Sequence, residues 1–186
     1  MSAPLRCAAA VATCLFLVLT TAPSATAALP SKKAWVDDVA AAMDGSHRQL
    51  DRRLEQGGSR LAINFDIDNT TLASHYDPGA AVRRVLRYAT YADSHGVSIL
   101  FNTARLTGGG RMTKAKQALR RAGYPVAGIC GRRDGEGLVH SKTRCRRHYV
   151  DLGYTLVANV GNRATDFEGG YYERAYRLPN YDNQLT

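Results

Sequence analysis

Two aspartates separated by one residue carry the strongest chemical signal in the sequence. Asp66 and Asp68 come directly after the apolar run 61–65, in the stretch FDIDNTTL. Beyond the end of a buried strand, both carboxylates can face one crevice. One of them could attack phosphorus and bind a cation, while the other could carry a proton to and from the leaving oxygen. A D-x-D pair is weak evidence by itself, because aspartate also favours turns.

Five further polar residues gain meaning from their order along the chain. Thr103 follows a second apolar run, where its hydroxyl could hydrogen-bond a phosphoryl oxygen, and Arg105 could contact the substrate phosphate. Lys142, at the start of a later helix, could neutralise the bound phosphoryl group. The segment GNRATD supplies Asn162 and Asp166, and the latter could hold a cation or orient its ligands. Taken singly, each residue is more often structural: a strand-end threonine, a solvated lysine or a loop acid.

The elements that must position these residues alternate between strands and helices, which predicts an α/β fold with a central parallel sheet flanked by helices. Buried strands are expected at 61–65, 97–101, 125–129 and 155–160, with an edge strand at 176–178. Helices are expected at 31–55 with a break at Gly45-Ser46, from Asp77-Pro78 to Gly96, at 112–122 and at 141–152. Ligands of such sheets bind beyond the carboxyl ends of the strands. The candidate residues lie at or after these strand ends in the sequence.

The order D-x-D-x-T, Thr, Lys and G-N-x-x-x-D resembles the four motifs of the haloacid dehalogenase (HAD) superfamily, from about residue 31 to the end of the chain. The segments GYTLVANVGN and RLPN are similar to those of the secreted acid phosphatases of the plant vegetative storage and bacterial class B and class C type. This resemblance implies a Rossmann-like HAD fold and a phosphoric monoester hydrolase.

The resemblance also implies a role for each motif residue. Asp66 would be the nucleophile that forms a phospho-aspartate, and Asp68 would be the general acid and then the base for the attacking water. Thr103 and Lys142 would hold the phosphoryl group. A Mg²⁺ ion would offset the repulsion between a carboxylate and a phosphate dianion, and it prefers oxygen ligands. The implied Mg²⁺ ligands are Asp66, the backbone carbonyl of Asp68, Asn162 and Asp166.

One position departs from the family pattern. The fourth motif of the family usually reads G-D-x-x-x-D, and this chain has Asn162 in place of the first acid. An amide still offers a carbonyl oxygen, but the site has one negative charge fewer. The alternative function is therefore a non-catalytic or weakly active phosphate-ester-binding protein on the HAD scaffold. About 29 residues separate Asp68 from the second strand, so we expect a minimal cap domain or none, and an open crevice.

The N-terminal residues have the pattern of a signal peptide. A positive charge precedes the apolar run from Cys7 to Leu19, and the small-residue site Ala25-Thr26-Ala27 follows. This pattern predicts a signal peptide at 1–27 and a secreted phosphatase domain at 28–186, with no membrane span after cleavage. An uncleaved membrane anchor is the alternative.

Cleavage at that site would leave two cysteines, Cys130 and Cys145. An even pair in an oxidising compartment favours a disulfide, with two buried thiols as the alternative. A zinc site is disfavoured, because two cysteines without metal-ligand spacing cannot complete a tetrahedral shell.

The formal charge of +9 suits anionic partners. The expected substrate is a small phosphomonoester, with nucleotides among the candidates. A nucleic-acid binder is disfavoured because no nucleic-acid motif accompanies the basic residues. A dehalogenase is disfavoured because Asp68 supplies the acid that a phosphatase needs. The sequence does not predict the oligomeric state.

Overall fold

The computed structural model describes residues 28–185, which form a five-stranded parallel sheet flanked by helices. The strands are β1 (Leu61–Phe65), β2 (Ser98–Leu106), β3 (Gly128–Arg132), β4 (Thr155–Gly161) and β5 (Ala175–Arg177). The helices are α1 (Lys32–Ala42), α2 (Ser46–Glu55), α3 (Arg83–Ser94), α4 (Arg111–Arg121) and α5 (Leu138–Asp151). The strand order is β3-β2-β1-β4-β5. The predicted α/β class with a central parallel sheet is confirmed.

The central strand β1 is buried along its whole length, as expected for a parallel strand covered on both faces. Ile63 and Phe65 belong to the larger core, which includes residues of α1 to α4. Ala62 belongs to a smaller core with Tyr149 of α5. The sheet thus carries α5 on one face and most of the other helices on the opposite face. The carboxyl ends of β1, β2 and β4 meet at one edge, which positions the candidate residues.

The start of α3 differs from the prediction. The Asp77-Pro78 dipeptide predicted a helix start, but α3 begins six residues after Asp77. Residues 77–82 instead fold back on the segment that follows β1, where the N–H of Val82 donates to the carbonyl of Thr71 at 2.9 Å. The dipeptide therefore marks a turn, a second conformation that Asp-Pro favours equally well.

Two strands are displaced from their predicted ranges. β2 continues beyond the predicted 97–101 to Leu106, so Thr103 lies within the strand rather than after it. β3 begins at Gly128, which pairs with Leu100, instead of at Pro125. The physical reason is that proline has no N–H to donate to the ladder.

Two helical predictions are refined. α5 begins at Leu138, three residues before the predicted start, so Lys142 lies in the second turn and not at the first position. The break predicted within 31–55 is confirmed, since Gly45 separates α1 from α2 with φ 67°. This left-handed backbone conformation favours glycine.

The segment between β1 and α3 contains turns and two isolated bridges, without a further helix or strand. The prediction of a minimal cap domain or none is therefore confirmed for this connection. The site at the end of β1 has no separate domain inserted above it from this segment.

Candidate active site

Asp66 occupies the first position after β1 and lies inside the protein. The residue is 7% exposed, and its N–H donates to the carbonyl of Val160 at 2.9 Å, which extends the pairing with β4. The hydroxyl of Thr71 donates back to the carbonyl of Asp66 at 3.1 Å. Asn69 takes the left-handed conformation, with φ 56°, that a non-glycine residue adopts at some tight turns. The chain therefore turns sharply after Asp66, which keeps this carboxylate at the strand end.

Lys142 of α5 is the cation of a buried cluster, which we define as Asp66, Lys142 and Asp166. The ammonium contacts Oδ1 of Asp66 and lies 2.8 Å from Oδ1 of Asp166, and the lysine side chain is 4% exposed. Burial opposes the charged form of Lys142, but the two carboxylates outweigh it and hold the pKa of the ammonium above its usual range. Burial raises the pKa of Asp66 to about 7, although Lys142 partly offsets this rise.

Asp68 and Arg105 form a second group, which we call the outer pair. Both side chains are 38% exposed. The guanidinium of Arg105 donates from Nε to Oδ2 of Asp68 at 3.0 Å and from Nη2 to Oδ1 at 2.5 Å, and the hydroxyl of Ser74 donates to Oδ1 at 2.6 Å. Burial would raise the pKa of Asp68, but Arg105 and Ser74 outweigh it and hold this pKa below its usual range.

Thr103 is buried in β2, and its side chain is oriented by the backbone that follows it. The N–H of Arg105 donates to Oγ1 of Thr103 at 3.2 Å. The hydroxyl hydrogen of Thr103 is thus left to donate to a ligand oxygen. Directly before it, Asn102 accepts from the ammonium of Lys142 through its side-chain oxygen at 3.4 Å and its carbonyl at 3.5 Å. The end of β2 therefore carries Arg105 of the outer pair, and through Asn102 it also helps to hold Lys142.

A short 3₁₀ turn after β4 returns Asp166 to the end of that strand. Oδ2 of Asp166 accepts the N–H groups of Asn162 and Arg163 at 3.0 and 2.9 Å, while Oδ1 accepts from Lys142. Gly161 permits this approach, because a Cβ at position 161 would lie 2.5 Å from Oδ2 of Asp166. Both oxygens of this carboxylate are engaged by the protein, which suits Asp166 to orient the loop and the lysine.

Oxygen atoms that follow β1 and β4 have the chemistry of a Mg²⁺ site with little negative charge. Candidate donors are the Asp66 carboxylate, the backbone carbonyl of Asp68 and the side-chain oxygen of Asn162. The Asn162 amide accepts one long bond from Thr70 at 3.4 Å, and its nitrogen has no partner among the described residues. Within 28–185, no three His, Cys, Asp or Glu side chains cluster so as to hold a metal. The donors fit a cation that keeps several waters, as Mg²⁺ does.

The buried cluster and Asp68 border one cavity of about 250 Å³, whereas Thr103, Arg105 and Asn162 are not among its lining residues. The residues that line it are Asp66, Asp68, Asn69, Ala104, Leu138, Lys142, Arg163, Thr165 and Asp166. Four of the predicted site residues are therefore brought together here, although their elements are far apart in sequence. Arg105 reaches this site as the ion-pair partner of Asp68.

Sequence reasoning missed three residues of the site: Ser74, Asn102 and Arg163. Asn102 could have been found, because it immediately precedes Thr103 at the end of a strand. Arg163 lies within the GNRATD segment but has no chemical signature of its own. Ser74 had no signal, since only the turn after β1 brings its hydroxyl to Asp68.

A disulfide joins β3 to α5, as predicted. Cys130 and Cys145 are bonded, with their Cα atoms 5.7 Å apart. The bond lies one turn from Lys142 along α5, so it fixes the helix that carries the lysine to the edge of the sheet.

The signal-peptide prediction, 1–27, lies outside the described residues. None of the helices within 28–185 is long and apolar enough to cross a membrane.

Comparison with known families gives one match. A sequence model of the acid phosphatases of HAD superfamily subfamily IIIB matches residues 77–184, which is more than half of the chain. The matched range contains Lys142 and Asp166 but begins after Asp66 and Asp68. The place of these two aspartates in the site therefore depends on the geometry described above. No curated protein matches the chain.

Solved structures with a similar fold include two of the class C acid phosphatase from Bacillus anthracis. The first is 21% identical, with a TM-score of 0.59, and the match covers 80% of this chain and 77% of that chain. The second, with tungstate bound, is 19% identical, with a TM-score of 0.63 and coverage of 81% and 79%. At these identities the likeness concerns the fold.

Proposed function

The chain belongs to the acid phosphatases of HAD superfamily subfamily IIIB, and we propose that it hydrolyses phosphomonoesters through a phospho-aspartate on Asp66. Its membership makes it a phosphoric monoester hydrolase. The observation that carries the mechanism is the buried cluster: a carboxylate at the end of the central strand, beside a cavity, in contact with the ammonium of Lys142.

In the first half-reaction, Oδ2 of Asp66 forms a bond to phosphorus while the bond from phosphorus to the leaving oxygen breaks. Lys142 holds Oδ1 of the same carboxylate, which fixes the attacking group and places a positive charge beside the transferred phosphoryl group. The hydroxyl of Thr103 donates to a phosphoryl oxygen. Asp68 gives its proton to the leaving oxygen, so that an alcohol departs.

In the second half-reaction, Asp68 is a carboxylate and accepts a proton from water. The water oxygen forms a bond to phosphorus, and the bond between phosphorus and Asp66 breaks, which releases inorganic phosphate and restores both acids. Arg105 lies against Asp68 and can bind the phosphoryl group as this acid changes its charge.

Mg²⁺ would be held by Asp66, the Asp68 carbonyl and Asn162, with Asp166 orienting the loop of the site. When bound, it would supply positive charge that offsets the repulsion between the carboxylate and a phosphate dianion. The chain's own contribution is to fix one oxygen of Asp66 with Lys142 and to leave the other for attack.

The proposed substrates are small phosphomonoesters, including nucleotides, because no inserted domain between β1 and α3 restricts the cavity. We propose that the protein is secreted after cleavage at residue 27. The disulfide between Cys130 and Cys145 supports an oxidising compartment.

A second function, binding of phosphate esters with little or no turnover, is favoured by one observation. Asn162 stands where the family pattern has an acid, so the cation site has fewer charges. Such a protein would bind inorganic phosphate at Lys142 and Thr103 without hydrolysing its esters.

Hydrolysis of p-nitrophenyl phosphate by the secreted protein, with Mg²⁺ and with EDTA, tests the proposal. We expect hydrolysis that requires Mg²⁺ and falls to the buffer rate in Asp66→Asn. Asp93→Asn, which changes an exposed acid of α3, is the matched control and should retain full activity. Wild-type protein that binds phosphate but hydrolyses no ester would establish the binding function instead. Activity retained in Asp66→Asn would overturn the assignment of the nucleophile.

A further inference from the structure

Arg146 is a buried cation that the proposed mechanism does not use. It is 0% exposed and lies one turn after Lys142 on α5. Its guanidinium donates from Nη1 to the carbonyl of Asp166 at 2.6 Å, from Nε to the carbonyl of Gly170 at 2.7 Å, and from Nη2 to the carbonyl of Glu168. No carboxylate oxygen within residues 28–185 lies at ion-pair distance from this guanidinium.

The carbonyl of Asp166 has a second donor on the sheet. Nδ2 of Asn159 in β4 donates to it at 2.9 Å, and Oδ1 of Asn159 in turn accepts from Nδ2 of Asn64 in β1 at 2.6 Å. Asn64 and Asn159 are both buried. One carbonyl is therefore held from the helix side by Arg146 and from the sheet side by Asn159.

The use of a charged group here is informative because it is costly. Burying a cation without an opposing carboxylate loses hydration that peptide carbonyls replace only in part. A well-packed apolar side chain between α5 and the loop would stabilise the fold at least as well. The planar guanidinium differs in one respect: its five N–H groups point in fixed directions and can hold several carbonyls in one arrangement.

The position of that arrangement connects it to the chemistry. The three carbonyls belong to the segment that starts at Asp166, whose carboxylate lies 2.8 Å from the ammonium of Lys142. Arg146 and Lys142 are on the same face of α5, four residues apart. The helix therefore holds Asp166 twice, by the carboxylate with Lys142 and by the carbonyl with Arg146.

We propose that Arg146 and Asn159 are positioning residues for Asp166, and that through Asp166 they set the orientation of the Lys142 ammonium toward Asp66. Neither residue lines the cavity at Asp66. Their effect is on the geometry of the lysine, so it extends to phosphate binding as well as to turnover. The turnover part of this inference rests on the proposed phosphatase function, whereas the phosphate-binding part does not.

Two conservative variants test the inference. Arg146→Lys keeps the positive charge but loses the planar guanidinium that binds three carbonyls. Asn159→Ser keeps a polar side chain that is too short to bond the Asp166 carbonyl. The matched control is Arg147→Met, the next residue of α5, whose side chain is 66% exposed and 3.8 Å from Asp151. Each protein is measured for kcat and KM with p-nitrophenyl phosphate, for calorimetric binding of inorganic phosphate in Mg²⁺, and for urea unfolding.

We expect kcat to fall about tenfold to a hundredfold in Arg146→Lys and about tenfold in Asn159→Ser, as for other groups that orient the residues of a site. Phosphate binding should weaken in the same order, KM should change less than kcat, and Arg147→Met should match wild type. If Arg146→Lys does not fold, Asn159→Ser decides the question. Either variant, folded and with wild-type kcat and phosphate affinity, overturns the inference.

The phosphate titration also separates this inference from the proposed function. A wild-type protein without turnover would refute the phosphatase mechanism, yet weaker phosphate binding by both variants would still support positioning. Conversely, an active wild type with unaffected variants would refute positioning alone.

Discussion

The buried cluster and the outer pair each contain one aspartate from the turn after β1, and the pKa values of these two aspartates shift in opposite directions. Asp66 is 7% exposed and burial raises its pKa to about 7, whereas the pKa of Asp68, two residues later, lies below its usual range because Arg105 and Ser74 outweigh burial. Both have a cationic partner, so the partner alone does not explain the difference. Two things differ. Lys142 is as deeply buried as Asp66, while Arg105 and Asp68 are both 38% exposed, and the neighbouring carboxylate of Asp166 also raises the pKa of Asp66.

The opposite pKa shifts matter for the two roles proposed here, with Asp66 as the nucleophile and Asp68 as the general acid. A general acid with a low pKa is unusual, since enzymes more often raise the pKa of the group that donates a proton. Here the fork from Arg105 holds Asp68 ionised, so we expect its protonated form, and the first half-reaction, to be favoured at acid pH. A bound phosphate dianion would compete for Arg105 and break its hydrogen bonds to Asp68. The pKa of Asp68 would then rise, and the acid would keep its proton at higher pH.

Removal of the buried cation should have the largest effect. Lys142→Met leaves the carboxylates of Asp66 and Asp166 buried without their cation, which we expect to lower the free energy of unfolding by about 3–5 kcal/mol and to abolish turnover. Urea unfolding and the p-nitrophenyl phosphate assay measure both effects. Lys114→Met, which changes an exposed lysine of α4, is the control.

A double variant sharpens this prediction. Adding Asp66→Asn to Lys142→Met removes one of the two unpaired charges, so it should restore part of the lost stability without restoring activity. A Lys142→Met protein as stable as wild type would mean that the cluster is not held by charge pairing.

Several features of the buried cluster could be predicted from sequence. The carboxyl ends of the strands of a parallel sheet share an edge. Asp66 and Asp166 each follow a buried strand, and Lys142 lies in the helix before β4. Apolar runs and glycines placed the central strand β1 correctly, because a strand buried on both faces has a strong pattern.

The outer pair could not be predicted in the same way. The fork between Arg105 and Asp68 depends on the left-handed turn at Asn69 and on the extension of β2 to Leu106. Neither leaves a periodic signal, and the Asp77-Pro78 dipeptide favours a turn as much as a helix start. Sequence reasoning therefore placed Arg105 on the substrate, because its protein partner is fixed by tertiary structure.

The next prediction concerns the charge of the cluster. Asn162→Asp adds a carboxylate to the proposed cation site, which should increase Mg²⁺ affinity by about tenfold to a hundredfold, or on the order of 1–3 kcal/mol. A titration of activity with Mg²⁺ should therefore shift to lower concentration. Without metal the added charge should lower stability, because it lies near Asp166, whose carboxylate accepts the N–H of residue 162. Superimposable titration curves for wild type and variant would place Asn162 away from the metal.

The smallest stability effect is expected at the outer pair. Arg105→Met removes the group that lowers the pKa of Asp68, so this pKa should rise. Because the acid must be protonated to give its proton, the alkaline limb of the kcat/KM profile, which reports the free enzyme, should move to higher pH. The free energy of unfolding should fall by less than about 1 kcal/mol, since the pair is half-exposed.

Arg120→Met, an exposed arginine of α4, is the matched control for that profile. An alkaline limb that stays in place in Arg105→Met would mean that Asp68 is not the proton donor. A stability loss as large as that of Lys142→Met would remove the distinction between the two groups.

The central claim is that Asp66 forms the covalent phospho-enzyme, and trapping of that intermediate tests it most directly. Sodium borohydride reduces an acyl phosphate to an alcohol, so protein quenched during turnover of p-nitrophenyl phosphate should contain homoserine at position 66. Peptide mass spectrometry locates the change, and Asp66→Asn under the same conditions should show none. Homoserine at position 66 is the predicted result. Homoserine at position 68 or 166, or turnover without any reduced aspartate, would contradict the account.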